Sequence, residues 1–420
     1  LPQALSFAMI IYLSKQVDPM PQYQRFTPED AAVFANDHSE LFGVHSKLTS
    51  VSFGDNHMNQ VFRVKNQFGT SLIVKQALPV ARGLSEQWPL SLDRLRIEAE
   101  ALIQLGKASP DHVVEVLHYD AEQAAMLLED LDQYELLSKT LASGRQFHQL
   151  AEQLAQLLAH HSFFSSDFAT DIAGKNAGLK KFNNPQAQQV VEDLLLSDPY
   201  INHERNQHQP HLQQLARQLW QDEKLQSQVA ALRAAYRSCP QALQHGDLGC
   251  NSIFVCGDDI KVIDAEFACY GPVGFDLGLF FGSLMLQYCA AQGVMNNTER
   301  ARDQQNYLHN QIKDCWQHFA NTFLALCQQH CRDPLFSNRS YQEKFVLQVL
   351  RYSIGFAGAE LIRRVIGAFP AAEFKQIANT TARQQAQQQA ITLGCRLIML
   401  HAEASSISQL LSPLQDLQMQ

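Results

Sequence analysis

Two acidic motifs stand near each other in the second half of the chain: HGDLGCNSIF at 245–254 and VIDAEF at 262–267. Between them Gly257-Asp258-Asp259 has turn chemistry, so the flanking stretches are expected to fold back on each other as short strands. That would bring Asp247 and Asp264 into one cleft. One carboxylate can then accept a proton from a nucleophile while the other offers hard oxygen to Mg²⁺, which is what phosphoryl transfer asks of a site. Asp247 suits the base, and Asp264 with Glu266 suits the metal. Far upstream, Lys75 interrupts the apolar run SLIVKQ. A lysine in such a strand is costly unless an acid pairs with it. Glu98 shares a helix face with Leu95 and Leu102, whereas Glu100 points elsewhere, so Glu98 is the expected partner. A lysine held in this way can grip nucleotide phosphates.

Three further segments could complete such a site. The small polar loop Gly54-Asp55-Asn56-His57-Met58-Asn59 precedes the lysine strand and could present backbone N–H groups to phosphate. Leu127-Leu128-Glu129-Asp130-Leu131 ends a strand where a hinge could meet adenine through its backbone. Arg351, Arg363 and Arg364 lie in the apolar segment RYSIGFAGAELIRRVIG, with Glu360 spaced to pair with Arg364. A guanidinium there suits a polyol or a growing phosphate charge and would repel a cationic substrate.

The elements that must position these residues follow from periodicity. Leu48 to Phe53, Gln60 to Lys65, Ser71 to Gln76, Val113 to Leu117 and Ala124 to Glu129 read as strands. Leu92 to Leu105 has helical period. Thr27-Pro28-Glu29-Asp30 reads as a helix start, with Thr27 as cap and Pro28 at the first helical position. Residues 134–240 and 275–411 are mainly helical in pattern, and 245–264 return briefly to strands and turns. The layout is therefore α+β and bilobal, that of a protein-kinase-like fold, although layout alone does not carry that claim. A small antiparallel sheet with one helix forms an N-terminal ATP-binding lobe at 20–130, and a large, mainly helical catalytic and substrate-binding lobe spans 131–420. Residues 1–19 are expected to be an extension outside the fold.

Composition narrows the function. Lys plus Arg is 33 against 42 for Asp plus Glu, a net charge of −9 with no basic stretch. Binding to nucleic acid through counterion release is thereby disfavoured. The nine cysteines show no paired framework, so reduced thiols in a cytoplasm are expected. No apolar run reaches the roughly 18 residues that read as a membrane span; the longest is Leu277 to Leu286.

With these residues in view, the chain resembles the methylthioribose kinases, within the kinase-like superfamily of aminoglycoside and choline phosphotransferases. VFRV at 61–64, IVKQALPVAR at 73–82, QWPLSLDRLRIEAEAL at 87–102 and LLEDL at 127–131 carry the resemblance. HGDL at 245–248, EFACYGPVGFDLG at 266–278 and GAELIRR at 358–364 complete it. The resemblance implies phosphorylation of the anomeric hydroxyl of 5-methylthioribose by ATP with Mg²⁺, in methionine salvage, by a homodimer. It places Asp247 as base and as a substrate contact, and Lys75 on the ATP. Asp264, Ala265 and Glu266 form the metal motif, Asn59 closes the phosphate loop, Glu129, Asp130 and Leu131 form the hinge, and Arg363 and Arg364 contact the substrate. Ser252 stands five residues after the base, as this family has it and unlike the metal-binding Asn of protein kinases. Three positions depart from the family pattern. Gly249-Cys250-Asn251 replaces the His-Thr-Gly that usually follows HGDL, Ala265 replaces a proline, and Asn56-His57-Met58 replaces Gly-Asn-Leu. Two alternatives remain open: a kinase for another pentose or small alcohol, and a nucleotide-binding homologue without turnover.

Overall fold

The computed structural model describes residues 23–43, 46–53, 58–80, 90–295 and 297–418. The expected extension at 1–19 and the loop residues 54–57 lie outside them. The first described helix, α1 (Pro28–Asp37), starts as its sequence dictates. The Thr27 hydroxyl accepts from the Asp30 N–H, and the Asp30 carboxylate accepts from the Thr27 N–H at 2.8 Å.

Five strands form one antiparallel sheet: β1 (Leu48–Ser52), β2 (Asn59–Asn66), β3 (Ser71–Ala77), β4 (Val116–Asp120) and β5 (Ala125–Glu129), in spatial order β1-β2-β3-β5-β4. The two-residue period of β3 divides its work. Leu72 and Val74 join Phe62, Val64 and Leu127 in a core covered by Ala31, Phe34 and Ala35 of α1. Ile73 and Lys75 face the other way, into a cavity. Lys75 lies opposite Val61 on one neighbour and Met126 on the other, so the central position of β3 fixes its height in that cavity. Helix α2 (Arg94–Ala108) packs Leu95, Leu102 and Leu105 with Met126 and Leu128. The last strand is displaced from the expected Val113–Leu117. Val113 bridges Val262 instead, and the Val114 N–H donates to the Val262 carbonyl at 3.0 Å, so this stretch is drawn toward the second half of the chain before β4 begins.

Beyond Asp130 the chain is mainly helical, interrupted by short strands: β6 (Glu135–Leu136), β7 (Ala242–Gln244), β8 (Ile253–Cys256), β9 (Asp259–Val262) and β10 (Cys269–Gly271). β8 and β9 form the hairpin foreseen between the acidic motifs, with Gly257 at φ +60° in its turn. Two helices, Gly274–Val294 and Arg339–Ile366, are long and apolar enough to cross a membrane by length and composition, contrary to the reading of the longest apolar run. Their apolar windows are 83% and 72% buried inside the protein, so they form its core. They approach closely. A Cβ at Gly278 would stand 2.7 Å from that of Phe356, and one at Gly282 would stand 2.8 Å from that of Glu360. All nine cysteines are free.

Candidate active site

The open face of the sheet and the helical half enclose a cavity of about 860 Å³. Of the residues singled out in the sequence, Lys75, Glu129, Asp130, Leu131, Asp247, Asp264, Glu266, Arg363 and Arg364 line it. Asn59, Glu98 and Ala265 sit behind its wall, all buried. Arg351 lies elsewhere and donates to the Ala404 carbonyl at 2.9 Å.

At one end Lys75 is clamped between two acids. Its Nζ lies 2.6 Å from Glu98 Oε1 and 2.5 Å from Asp264 Oδ1. Burial works against the Lys75 charge, but Asp264, Glu98 and Glu266 outweigh it and raise its pKa. Burial raises the Glu98 pKa, against the pull of Lys75. Asp264 sits at φ +64°, a left-handed conformation that costs a non-glycine residue roughly 1–2 kcal/mol. Glu98 itself is supplied by α2, whose inner face matches the helical reading. A second cluster was not foreseen. Arg94, buried on the first turn of α2, places its Nε 3.3 Å from Glu266 Oε2 and donates to Asn59 Oδ1 at 3.1 Å and to the Met58 carbonyl. Asn59 Nδ2 in turn donates to Glu266 Oε2 at 3.0 Å. No periodicity signal marks Arg94, because the only other arginine of α2, Arg96, lies on the opposite face.

The fit of a divalent cation can be judged from the donors. Asp264 leaves 37% of its side chain open, facing the cavity. Glu266 has Oε2 committed to Asn59 and Arg94, which leaves Oε1 as the oxygen it would offer. Two hard carboxylates on one wall suit Mg²⁺.

The hinge acids are held by neighbours. The Glu129 carboxylate accepts from Lys261 at 2.8 Å and from the Glu115 N–H, and Asp130 lies 2.8 Å from Arg63. Both carboxylates are thereby committed within the protein.

Asp247 faces the other end, its side chain 49% open to the cavity and 3.7 Å from Arg363. Burial within the cleft raises its pKa, opposed chiefly by Arg363. Its loop is pinned from below. The Asp276 carboxylate accepts from the His245 N–H at 2.7 Å and from the Gly246 N–H at 3.0 Å. The His245 ring bonds the Ile263 carbonyl at 2.7 Å, tying one acidic motif to the other. Gly246 is required here. Its φ is +89°, and a Cβ would stand 2.3 Å from the Phe267 carbonyl oxygen. Ser252 donates to the Asp247 carbonyl at 2.8 Å. Asp276 went unassigned in the sequence, although a lone acid in an apolar helix is the same signal that marked Lys75. Glu360 takes Arg363 at 2.7 and 2.8 Å and lies 3.8 Å from Arg364, so it orients both arginines. Glu373, which no pattern marked, also lines the cavity.

A small antiparallel sheet carrying a buried lysine–glutamate pair over a helical half with two acidic motifs defines a kinase-like phosphotransferase. Residues 51–315 match the model of the phosphotransferase enzyme family. A methylthioribose kinase of Yersinia enterocolitica is 40% identical over 394 residues, covering 94% of this chain and 98% of its own. One of Pectobacterium atrosepticum is 39% identical with the same coverage. Among solved structures, a choline kinase of Cryptosporidium parvum is 13% identical, with a TM-score of 0.46 over 94% of this chain and 100% of its own. The chain belongs to the phosphotransferase enzyme family, in its methylthioribose kinase branch.

Proposed function

We propose that this enzyme transfers the γ-phosphoryl group of ATP to the anomeric hydroxyl of 5-methylthioribose, releasing ADP and 5-methylthioribose 1-phosphate in methionine salvage. The observation that carries this reading is that Asp247 and the Lys75–Asp264 pair open onto one cavity, with Arg363 beside Asp247. The relatives named for this reaction supply the acceptor's identity.

In this reading the sugar oxygen bonds to the γ-phosphorus as the bond to the β-phosphate oxygen breaks. The hydroxyl proton passes to Asp247. An anomeric hydroxyl is more acidic than an ordinary alcohol, so orientation by Asp247 contributes beside its basicity. Lys75, kept charged by its two acids, offsets phosphate charge, and Glu98 keeps it aimed. Asp264 and Glu266, spaced by Ala265, would hold Mg²⁺, which neutralises phosphate charge when bound. Asn59 acts through Glu266 rather than by touching phosphate. The backbone of Glu129 to Leu131 meets the adenine. Arg363 and Arg364 hold the sugar or its nascent phosphate. A homodimer is inferred from the family alone, and a cytoplasmic location from the unpaired cysteine pattern of the sequence.

Gly249 favours a second reading, with another pentose or small alcohol as acceptor. It lines the cavity one loop position past Leu248 and contributes no side chain to it. The test is ADP release with MgATP and methylthioribose, beside ribose, an acceptor panel and no acceptor, in wild type and Asp247→Ala. Methylthioribose-dependent release that vanishes in the variant is expected. A better acceptor in the panel would decide for the second reading.

A further inference from the structure

The acceptor end of the cavity holds three carboxylates, and two of them are answered. Asp247 has Arg363 at 3.7 Å, and Glu360 has two arginines. Glu373 differs. It is 3% exposed, and among the described residues no lysine or arginine pairs with it. The Gln287 side-chain amide donates to its Oε1 at a long 3.3 Å and also to the Ser138 carbonyl at 3.0 Å. Glu373 Oε2 has no hydrogen-bond partner among the described residues. A buried carboxylate with an unanswered oxygen is expensive to keep, and this one stands in the wall of the acceptor cavity beside Cys250 and Ser283. The last torsion of a glutamate is soft. With Oε1 only loosely held, a small rotation turns Oε2 toward the space it borders. That space is roomy because Gly249 puts no side chain into it, and a Cβ there would meet only Ser283, at 3.5 Å.

We propose that Glu373 is a specificity-determining residue that accepts a hydrogen bond from a ring hydroxyl of the acceptor other than the one phosphorylated. Resting on the phosphoryl-transfer reading above, this makes the pocket select for a hydroxylated sugar rather than a simple alcohol. The ligand chemistry is an uncharged donor. A phosphate or carboxylate would be repelled by Glu373, whereas a hydroxyl completes its bonding. Gln287 then acts as the positioning residue.

The test is a cycle between Glu373→Gln and the acceptor's hydroxyls. In wild type, either the 2-deoxy or the 3-deoxy form of the acceptor should bind more weakly by roughly 10- to 100-fold, the worth of a hydrogen bond to a charged group. Glu373→Gln should raise KM for the full acceptor by a similar factor with kcat changed far less. It should cost nothing further on the sensitive deoxy form. MgATP affinity should be unchanged. Calorimetric binding of the acceptor, its deoxy forms and MgATP separates this from the function itself. If methylthioribose is not turned over, the cycle is run on the pentose that is, and the earlier reading alone fails. Equal affinity of wild type for the full and both deoxy acceptors overturns the role of Glu373, whether or not the variant folds. So does a folded Glu373→Gln with unchanged KM, or the absence of any bound pentose.

Discussion

The two ends of the cavity spend their charges differently. At the end proposed for the nucleotide the described charges are paired inside the protein, Lys75 with Glu98 and Asp264, and Arg94 with Glu266, although Glu98 Oε2 has no hydrogen bond among the described residues. At the acceptor end the pairs are looser. Asp247 is half open, with its arginine at 3.7 Å, and Glu373 has an oxygen with no partner. A network of ion pairs holds its geometry before any ligand arrives, which would suit the proposed ATP, a large and highly charged cosubstrate. Partly unanswered groups draw their last bonds from the ligand, which is where discrimination between small sugars arises.

The comparison breaks most visibly at Lys75. Lys75→Met should destabilise the fold by about 3–5 kcal/mol, because Glu98 is left buried without its cation. Adding Glu98→Gln should recover part of that loss while MgATP binding stays abolished; urea melts and calorimetry read the two separately. A fully stable single variant would show that the network does not hold this end. At the acceptor end Gly282→Ala is the sharper tool, since the new methyl would press on Glu360 at 2.8 Å. A cost of about 1–3 kcal/mol is expected from overpacking, with KM for the acceptor raised and the MgATP dissociation constant unchanged. A change in nucleotide affinity instead would mean that the two ends are coupled through the helix Arg339–Ile366. The smallest effect concerns pH. Asp247 must be ionised to accept a proton, and its pKa is raised by burial and held down by Arg363. Activity should therefore be present above that raised pKa and fall as pH drops through it, at a higher pH than a free aspartate would give. Arg363→Gln should move this acid limb higher still. Profiles of kcat/KM for the two proteins measure the shift, and coincident limbs would remove Asp247 as the titrating group.

The sequence alone determined the parts of the molecule that local chemistry governs. Strand alternation put Lys75 on one face of β3, helical period put Glu98 on the inner face of α2, and turn residues at 257–259 made the hairpin between the acidic motifs. Thr27 and Asp30 wrote the cap of α1. Each of these depends on neighbours within a few residues, so each was legible. Tertiary structure decided what depended on distant surfaces. Val113 left the sheet because Val262 reached it. Asn59, expected to close the phosphate loop, is bonded to Arg94 and Glu266, residues far along the chain. The two longest apolar helices became core rather than membrane spans because glycines let them pack on each other. Glu373 in the acceptor wall became visible only once the chain had closed around it, whereas Asp276 beneath the Asp247 loop carried a sequence signal that went unread. A side chain's charge is written in the sequence, but the partner that answers it is chosen by packing.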